Sequence, residues 1–500
     1  MSEADVVVVG AGPTGLTLAC ALRMHGLSVA VIDRATGPAT TSRANFLHAR
    51  GSEVLSRIGA LGELPNQALR AMRITSYLGD RPLMTLEFGD PRMKTAAPPM
   101  VISQARIEGA LRARLAELGT TPRWGRELCA LDQHDDHVVA RLVGGEHLTA
   151  RWLIGCDGTS STTRRLAGIA FPGVKLTERW LLADVHLEWD VERGGTTGWI
   201  HPSGLLGAMP MPDDYGRDDL WRLFAYDPDL DEKPSESAIL DRIRALLPQR
   251  SGRAVRVGDA EWLSCFTVHR RLAARYRHGR VLLAGDAAHA HAPFGGQGML
   301  TGIGDAENLA FKLALVIRGL AAESLIDTYE AERRPLATEV LRGTSAVTRA
   351  NVADHPVGRF LRDRVAAKVF SVAPLQRLIT YTASQLWVSY RKGPLGGRGT
   401  KPRRGDRISD MQCSRPDGHS TSLYRELGGR WALLCPAAAG PECAHTAQRH
   451  LGPYVAVLTH AGSDVMLVRP DGHLGWRGGP DNWRGINDWL DKALTSGSAR

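Results

Sequence analysis

The sequence predicts an α/β fold: a helix-wrapped parallel sheet, an antiparallel sheet set between its segments, and a small α/β unit toward the C-terminal end. Three observations carry this. The stretch Asp5–Val9 is apolar after a polar start, leads into GAGPTG and a helical segment, and is followed by a second apolar run ending in Asp33. Such runs are buried parallel strands, and strand–helix–strand is how they are connected. Residues 176–274 are instead rich in Trp and in alternating segments (LLADVHLEW, TGWIHP, WRLFAY) with turns such as MPMPDD, the pattern of antiparallel strands. Beyond the Gly/Pro/Arg-rich linker at 392–407, the runs RWALLC, YVAVLTH and DVMLVRPDGHLGWR, with a last helix near Trp483–Leu494, describe the third unit.

In chain order, GAGPTG opens a helix from Leu16 to about Met24, and Ser28–Ile32 is the second strand. Residues 103–118, SQARIEGALRARLAEL, predict a helix capped by Ser103 with Leu111, Leu115 and Leu118 on one face. WLIGCDG (152–158) is a short strand ending in Asp-Gly. GRVLLAG from Gly279 is another, running into GDAAHAHAPFGGQG, after which LAFKLALVI has helical spacing. Residues 340–385 also read as helical.

A chain of 500 residues holds more than one domain, and 43% hydrophobic with 23% charged residues is ordinary globular composition. The net charge of +9 comes from scattered Arg, without the basic stripe that nucleic acid requires. The seven Cys show no CxxC and no Cys/His metal spacing, so free thiols in a reducing cytoplasm are expected, and no metal. The first apolar run is too short to span a bilayer and has no basic region before it; LAFKLALVIRGLAA is broken by Lys312 and Arg318. A cytoplasmic protein without a membrane or nucleic-acid partner is the expectation.

Gly10-Ala11-Gly12-Pro13-Thr14-Gly15 lies between a strand and a helix. Gly10 permits the tight turn, Gly12 lets a pyrophosphate approach the main chain, and Gly15 lets helix and strand pack closely. The helix start supplies unpaired N–H groups and partial positive charge. Asp33, closing the next strand, can accept hydrogen bonds from a ribose. Together these predict a dinucleotide site.

GAGPTG, CDGTSSTTR (156–164) and GDAAHAHAPFGGQG (285–298) resemble the FAD fingerprints of the aromatic hydroxylases, the single-component flavoprotein monooxygenases of the para-hydroxybenzoate hydroxylase type. SRANFLHARGSEVLSRIG (42–59) and SQARIEGAL (103–111) resemble two further blocks of that family. DVMLVRPDGHLGWR resembles the thioredoxin-like C-terminal domain of its longer members, which include phenol hydroxylase and the aromatic polyketide hydroxylases of antibiotic biosynthesis. The resemblance implies a Rossmann-like FAD-binding domain over 1–75, 99–175 and 275–345, and a mixed/antiparallel-sheet substrate domain over 76–98 and 176–274. A helical connector over 346–394 and a thioredoxin-like α/β domain over 395–500 complete it.

The same resemblance assigns roles. Gly10, Gly12, Gly15, Asp33 and the adjacent Arg34 would hold the ADP half. Arg43 and Gln104 would meet the phosphate–ribityl region, with Arg106 nearby. Asp157 would serve both FAD and NADPH handling, since Gly158, Ser161 and Arg164 match the rest of its block; a strand-end turn with local N–H bonds is the plain alternative. Asp286 would bind the ribityl hydroxyls. Pro293–Gly298, with Met299 and Leu300, would lie against the isoalloxazine edge, where backbone N–H groups stabilise negative charge on the reduced ring; Pro293, Gly295 and Gly296 form its catalytic part. His289 becomes a packing residue, and neither it nor His291 a catalyst. Leu300 stands where relatives often carry Asn, and Gly304 where Gln is frequent.

Only one strand–GxGxxG–helix unit is present, no Cys lies between Cys20 and Cys129, and no WxW occurs. These features argue against two-dinucleotide reductases, disulfide reductases and tryptophan-type halogenases. What the resemblance implies is transient docking of NADPH or NADH onto one FAD domain, addition of O2, and hydroxylation of a polycyclic aromatic polyketide or phenol through a flavin C4a-hydroperoxide. Baeyer–Villiger or epoxidising insertion, or antibiotic inactivation, is the alternative, and a non-catalytic flavin-dependent binding protein the second. Trp180, Trp189, Trp199, Trp221 and Trp262 would offer flat walls to the ligand or serve as core. The C-terminal unit, without CxxC, is expected to pack or to form a homodimer contact.

Overall fold

The computed structural model describes residues 3–40, 44–69, 72–213, 216–227, 230, 234–290, 296–351 and 372–495. Its first sheet has at its centre four parallel strands side by side: Val281–Leu283, His147–Gly155, Ala4–Val9 and Val29–Ile32. The hairpin Leu128–Gln133/Val138–Leu142 adds to it antiparallel through His147–Gly155. Helices Pro13–Met24, Gln104–Glu117 and Gln297–Ile317 pack together over this sheet. The last is buried almost all round, which explains its near-continuous apolar sequence.

The second sheet has eight strands, in the order His289–Ala290, Val255–Leu272, Gly173–Trp189, Leu220–Tyr226, Gly204–Pro210, Thr196–His201, Arg73–Leu78 and Arg81–Glu87. Pairing is antiparallel except between Thr196–His201 and Arg73–Leu78, where a strand from the earlier segment joins in parallel. Alternation decides its faces. Leu181, Ala183, Leu206, Ala208, Leu223 and Ala225 pack against Ile239, Ile243, Leu246 and Leu247 of helix Glu236–Ser251. Trp189, Trp199 and Trp221 pack on one another on this helix-covered side, as core.

The third sheet runs Ser420–Ser422, Gln412–Ser414, Val455–His460, Trp431–Pro436, Val465–Val468, Leu474–Gly478, with one central parallel pair bridged by helix Glu442–Leu451. That helix and Trp483–Thr495 cover one face, giving the thioredoxin-like layer. The unit docks on Gln297–Ile317, where Phe311 meets Trp431 edge-on. Within the range expected for the connector, 346–351 ends helix Asp327–Asn351, Ala373–Ala383 is a helix, and 384–394 is turn with a bridge from Ser389 to Asp406; 352–371 lies outside the described residues. No helix among the described residues is long and apolar enough to cross a membrane.

Candidate functional site

The three glycine–aspartate turns meet at the ends of the parallel strands. Cys156 N–H bonds Val9 O at 2.7 Å and Ala284 N–H bonds Gly155 O at 3.0 Å, aligning the turns that follow each strand. Gly10, with φ +108°, lies so close to Cys156 that a Cβ would stand 2.4 Å from its carbonyl oxygen. A Cβ on Gly15 would be 1.9 Å from Gly10 O. Thr14 of the same motif fits between the GDA turn and the long helix: Cβ atoms on Gly285 and Gly302 would come within 2.6 and 2.2 Å of its Oγ1.

Gly12 is different. A Cβ there would meet nothing within 4 Å. It is also the N-cap of Pro13–Met24, a helix start with no side-chain cap and no acid in its first turn. An uncapped helix N-terminus facing open space is an anion cradle, and its donor set fits a pyrophosphate.

Asp33 accepts from Ala11 N–H at 2.7 Å and Ala35 N–H at 2.8 Å, which fixes the first turn to the second strand. Arg34 is exposed beside it. Gln104 opens its helix with its N–H on Ala44 O at 2.9 Å, and its amide donates to Glu108 at 2.8 Å. Glu108 is buried, and burial raises its carboxyl above the ordinary value. Asp157 is occupied locally, by the Ser161 hydroxyl and by Thr163 N–H and Oγ1 at 2.9 and 3.0 Å. This is the strand-end turn bonding anticipated as its plain alternative. Asp286, by contrast, is exposed at the start of the turn Gly285–Ala287, and its carboxylate has no hydrogen bond among the described residues.

Gly296 caps helix Gln297–Ile317 in left-handed backbone, φ +63°, with no side-chain cap and no acid in the first turn. A Cβ on it would lie 3.0 Å from Phe46 Cβ. Gly298 and Met299 are half-buried, whereas Leu300 turns inward, 2% exposed, against the Leu47–Gly51 segment. Arg43, His291, Pro293 and Gly295 lie outside the described residues.

Sequence reasoning missed what anchors this helix. Asp305 is fully buried; its Oδ2 meets His289 Nε2 at 2.6 Å and Gly285 N–H at 3.0 Å, and its Oδ1 meets Arg333 Nε at 2.6 Å. Burial works against its charge, but Arg333 and His289 outweigh it and hold the carboxyl below the ordinary value. His289 is therefore a packing and pairing residue. Gly304 makes room for Arg333, whose Nη2 would be 2.9 Å from a Cβ there. The only signal was a charged residue inside an apolar helix.

The face of the second sheet opposite helix Glu236–Ser251 is less closed. Leu205, Phe224, Tyr226 and Phe266 are half-buried around Trp180 and Val268. Gly207 lets the Phe224 ring lie on the strand, since a Cβ would be 2.0 Å from it. Next to them Met209 packs with Met72, Val101 and Phe46, the residue that touches Gly296. Asp184 and Arg222 form a buried bidentate pair at 2.7 and 2.6 Å on this face, with the guanidinium over Trp262. A flat apolar wall thus runs up to the glycine-capped helix start, an arrangement suited to a planar ligand.

A family model described as FAD binding domain matches residues 3–344. The chain is 36% identical over 456 residues to the 6-methylpretetramide 4-monooxygenase of Streptomyces rimosus, covering 88% of this chain and 81% of that one. The solved structure of OxyS, an anhydrotetracycline hydroxylase from Streptomyces rimosus, superposes with a TM-score of 0.82 at 32% identity, over 99% of this chain and 100% of that one. A ternary complex of aklavinone-11 hydroxylase with FAD and aklavinone superposes at 0.79 with 28% identity, over 99% of each.

Proposed function

Since the chain belongs to the FAD binding domain family, we propose that it is an FAD- and NAD(P)H-dependent monooxygenase that hydroxylates a polycyclic aromatic polyketide. NAD(P)H, a proton, O2 and the aromatic C–H would become NAD(P)+, water and the phenol. The observation that supports this most is the meeting of three turns around Gly12, where the helix start is left uncapped and open.

In this reading Gly10, Gly12, Gly15, Asp33 and Arg34 hold the ADP half, Arg43 and Gln104 the phosphate–ribityl region, and Asp286 a ribityl hydroxyl. Asp157 shapes its turn and through it the strand ends. Bound there, FAD would supply the redox chemistry with NAD(P)H and O2. The chain's part is electrostatic and steric. The uncapped first turn of Gln297–Ile317 carries N–H groups and partial positive charge that would favour negative charge on a ring bound against it. The resemblance puts Pro293, Gly295, Gly296, Gly298, Met299 and Leu300 at that edge, where main chain rather than side chain would meet the ring; the Leu300 side chain itself packs inward. The wall of Leu205, Phe224 and Phe266 keeps water from the reacting carbon.

We assign the substrate-binding role to 76–98 and 176–274, FAD binding to 1–75, 99–175 and 275–345, the helical connector to 346–394, and packing or a homodimer contact to 395–500, in a cytoplasmic enzyme. The purified protein is expected to be yellow, with substrate-stimulated NAD(P)H oxidation and one 18O atom from 18O2 in the product by mass spectrometry. A colourless chain without FAD affinity overturns the reading; a yellow one with no 18O in any polycyclic phenol overturns its catalytic part.

A further inference from the structure

Gln385 occupies a position that ordinarily belongs to glycine. Helix Ala373–Ala383 is capped by Ser384, and the next two N–H groups fold back on it: Gln385 N–H to Thr382 O at 3.0 Å and Leu386 N–H to Tyr381 O at 3.2 Å. This is the Schellman termination, whose first residue past the cap adopts left-handed backbone. Gln385 does so, with φ +54°; among the described residues Lys94 is the other non-glycine with positive φ. An L side chain is strained there and glycine is not. Strain of this kind persists where something else requires the side chain.

The side chain is 3% exposed and enters the first turns of Gln297–Ile317. Its Nε2 donates to Thr301 Oγ1 at 2.8 Å and lies 3.4 Å from Gln297 Oε1. Thr301 Oγ1 in turn donates to Gln297 O at 2.8 Å. The amide therefore braces, from outside the helix, the turn directly behind Gly296. Arg333 reaches the same turn through Thr301 O at 2.8 Å but is also held by Asp305 and Tyr390. Among the described residues, the side-chain hydrogen bonds of Gln385 both fall on this turn.

We propose that Gln385 is a positioning residue for the flavin-edge helix: its amide fixes the first turn so that the N–H groups there meet the bound ring. The proposal rests on the FAD reading above. Q385G removes the amide and the backbone strain together. The FAD-free chain should then keep or raise its thermal midpoint, while the FAD dissociation constant rises about tenfold, as for one lost hydrogen bond. The visible bands of bound FAD should shift, and its midpoint potential should become more negative. Q385N tolerates left-handed backbone but is one methylene too short to reach Thr301, so it should repeat the flavin changes. T301V should add little to Q385G, because both remove the same contact. A lowered thermal midpoint with unchanged FAD affinity and spectrum makes Gln385 a structural brace and overturns the proposal, as does no change in any readout. A wild-type chain that fails to bind FAD in the same titration overturns the earlier reading along with this one.

Discussion

Around Arg469, buried charges meet partners. Arg469 reaches Glu332 at 2.7 and 2.8 Å and Asp471 at 2.6 Å, and Lys312 meets Glu332 at 2.8 Å. Asn308 spans Glu332 and Asp471 at 2.8 and 3.1 Å, tying the long helix to the third sheet. Around Gly12 the same chain leaves helix-terminal N–H groups uncapped, a Cβ direction empty, and the Asp286 carboxylate exposed. Both regions concentrate polar groups at strand and helix ends. Where charges cannot reach water they are mutually satisfied and serve structure; where donors are left open toward space, they await a ligand.

Glu332 holds the paired region together. Glu332→Ala strands Arg469 and Lys312 without their carboxylate, and should lower stability by about 3–5 kcal/mol in urea unfolding; a loss below about 1 kcal/mol would mean that the interface is not held by this pair. Acid tests the same contact. Burial opposes Glu332's charge, but Arg469 and Lys312 outweigh it and hold the carboxyl down at about 2, against an ordinary 4.5. Its contribution is therefore fully present above pH 4.5 and lost as pH falls toward 2, on the order of 3 kcal/mol. Unfolding midpoints measured between those pH values should drop steeply, and Glu332→Gln should flatten the slope.

Gly12→Ala sharpens the other side. Its Cβ enters free space at φ −80°, so stability should change by less than about 0.5 kcal/mol. FAD affinity should fall about thirtyfold, since the methyl occupies the phosphate's approach. Gly15→Ala, with its Cβ 1.9 Å from Gly10 O, should instead fail to fold; equal behaviour of the two variants would mean that Gly12 is as closely packed as Gly15. The smallest effect is expected at Asp286→Ala: about tenfold weaker FAD retention by equilibrium titration with unaltered thermal unfolding, as for loss of one charge-assisted hydrogen bond. Unchanged retention would detach Asp286 from the site.

Much of this was legible in the residues because it is local. The βαβ unit, the Ser103 cap and the three Gly/Asp turns follow from short-range sterics and periodicity, and appear as Ala4–Val9, Pro13–Met24, Val29–Ile32 and Gln104–Glu117. Asp157 was harder to read: the same DG segment suits a cofactor contact or a self-contained turn, and only the placement of Ser161 and Thr163 shows the local bonding. The middle tryptophans could not be sorted, since a strand's period of two says that faces differ but not which one a helix will cover.

What the sequence determined by itself was the presence of strand–glycine–helix turns and the chemistry they can offer, because a positive φ, an uncapped helix and an apolar run depend on neighbours a few residues away. Only the tertiary structure decided that Asp305 pairs with His289 and Arg333, that Glu332 takes Arg469, that 73–78 joins 196–201 in parallel, and that Gln385 reaches Thr301. Those pairings join residues far apart in the chain, and their energy depends on burial and distance, which no spacing along the chain records.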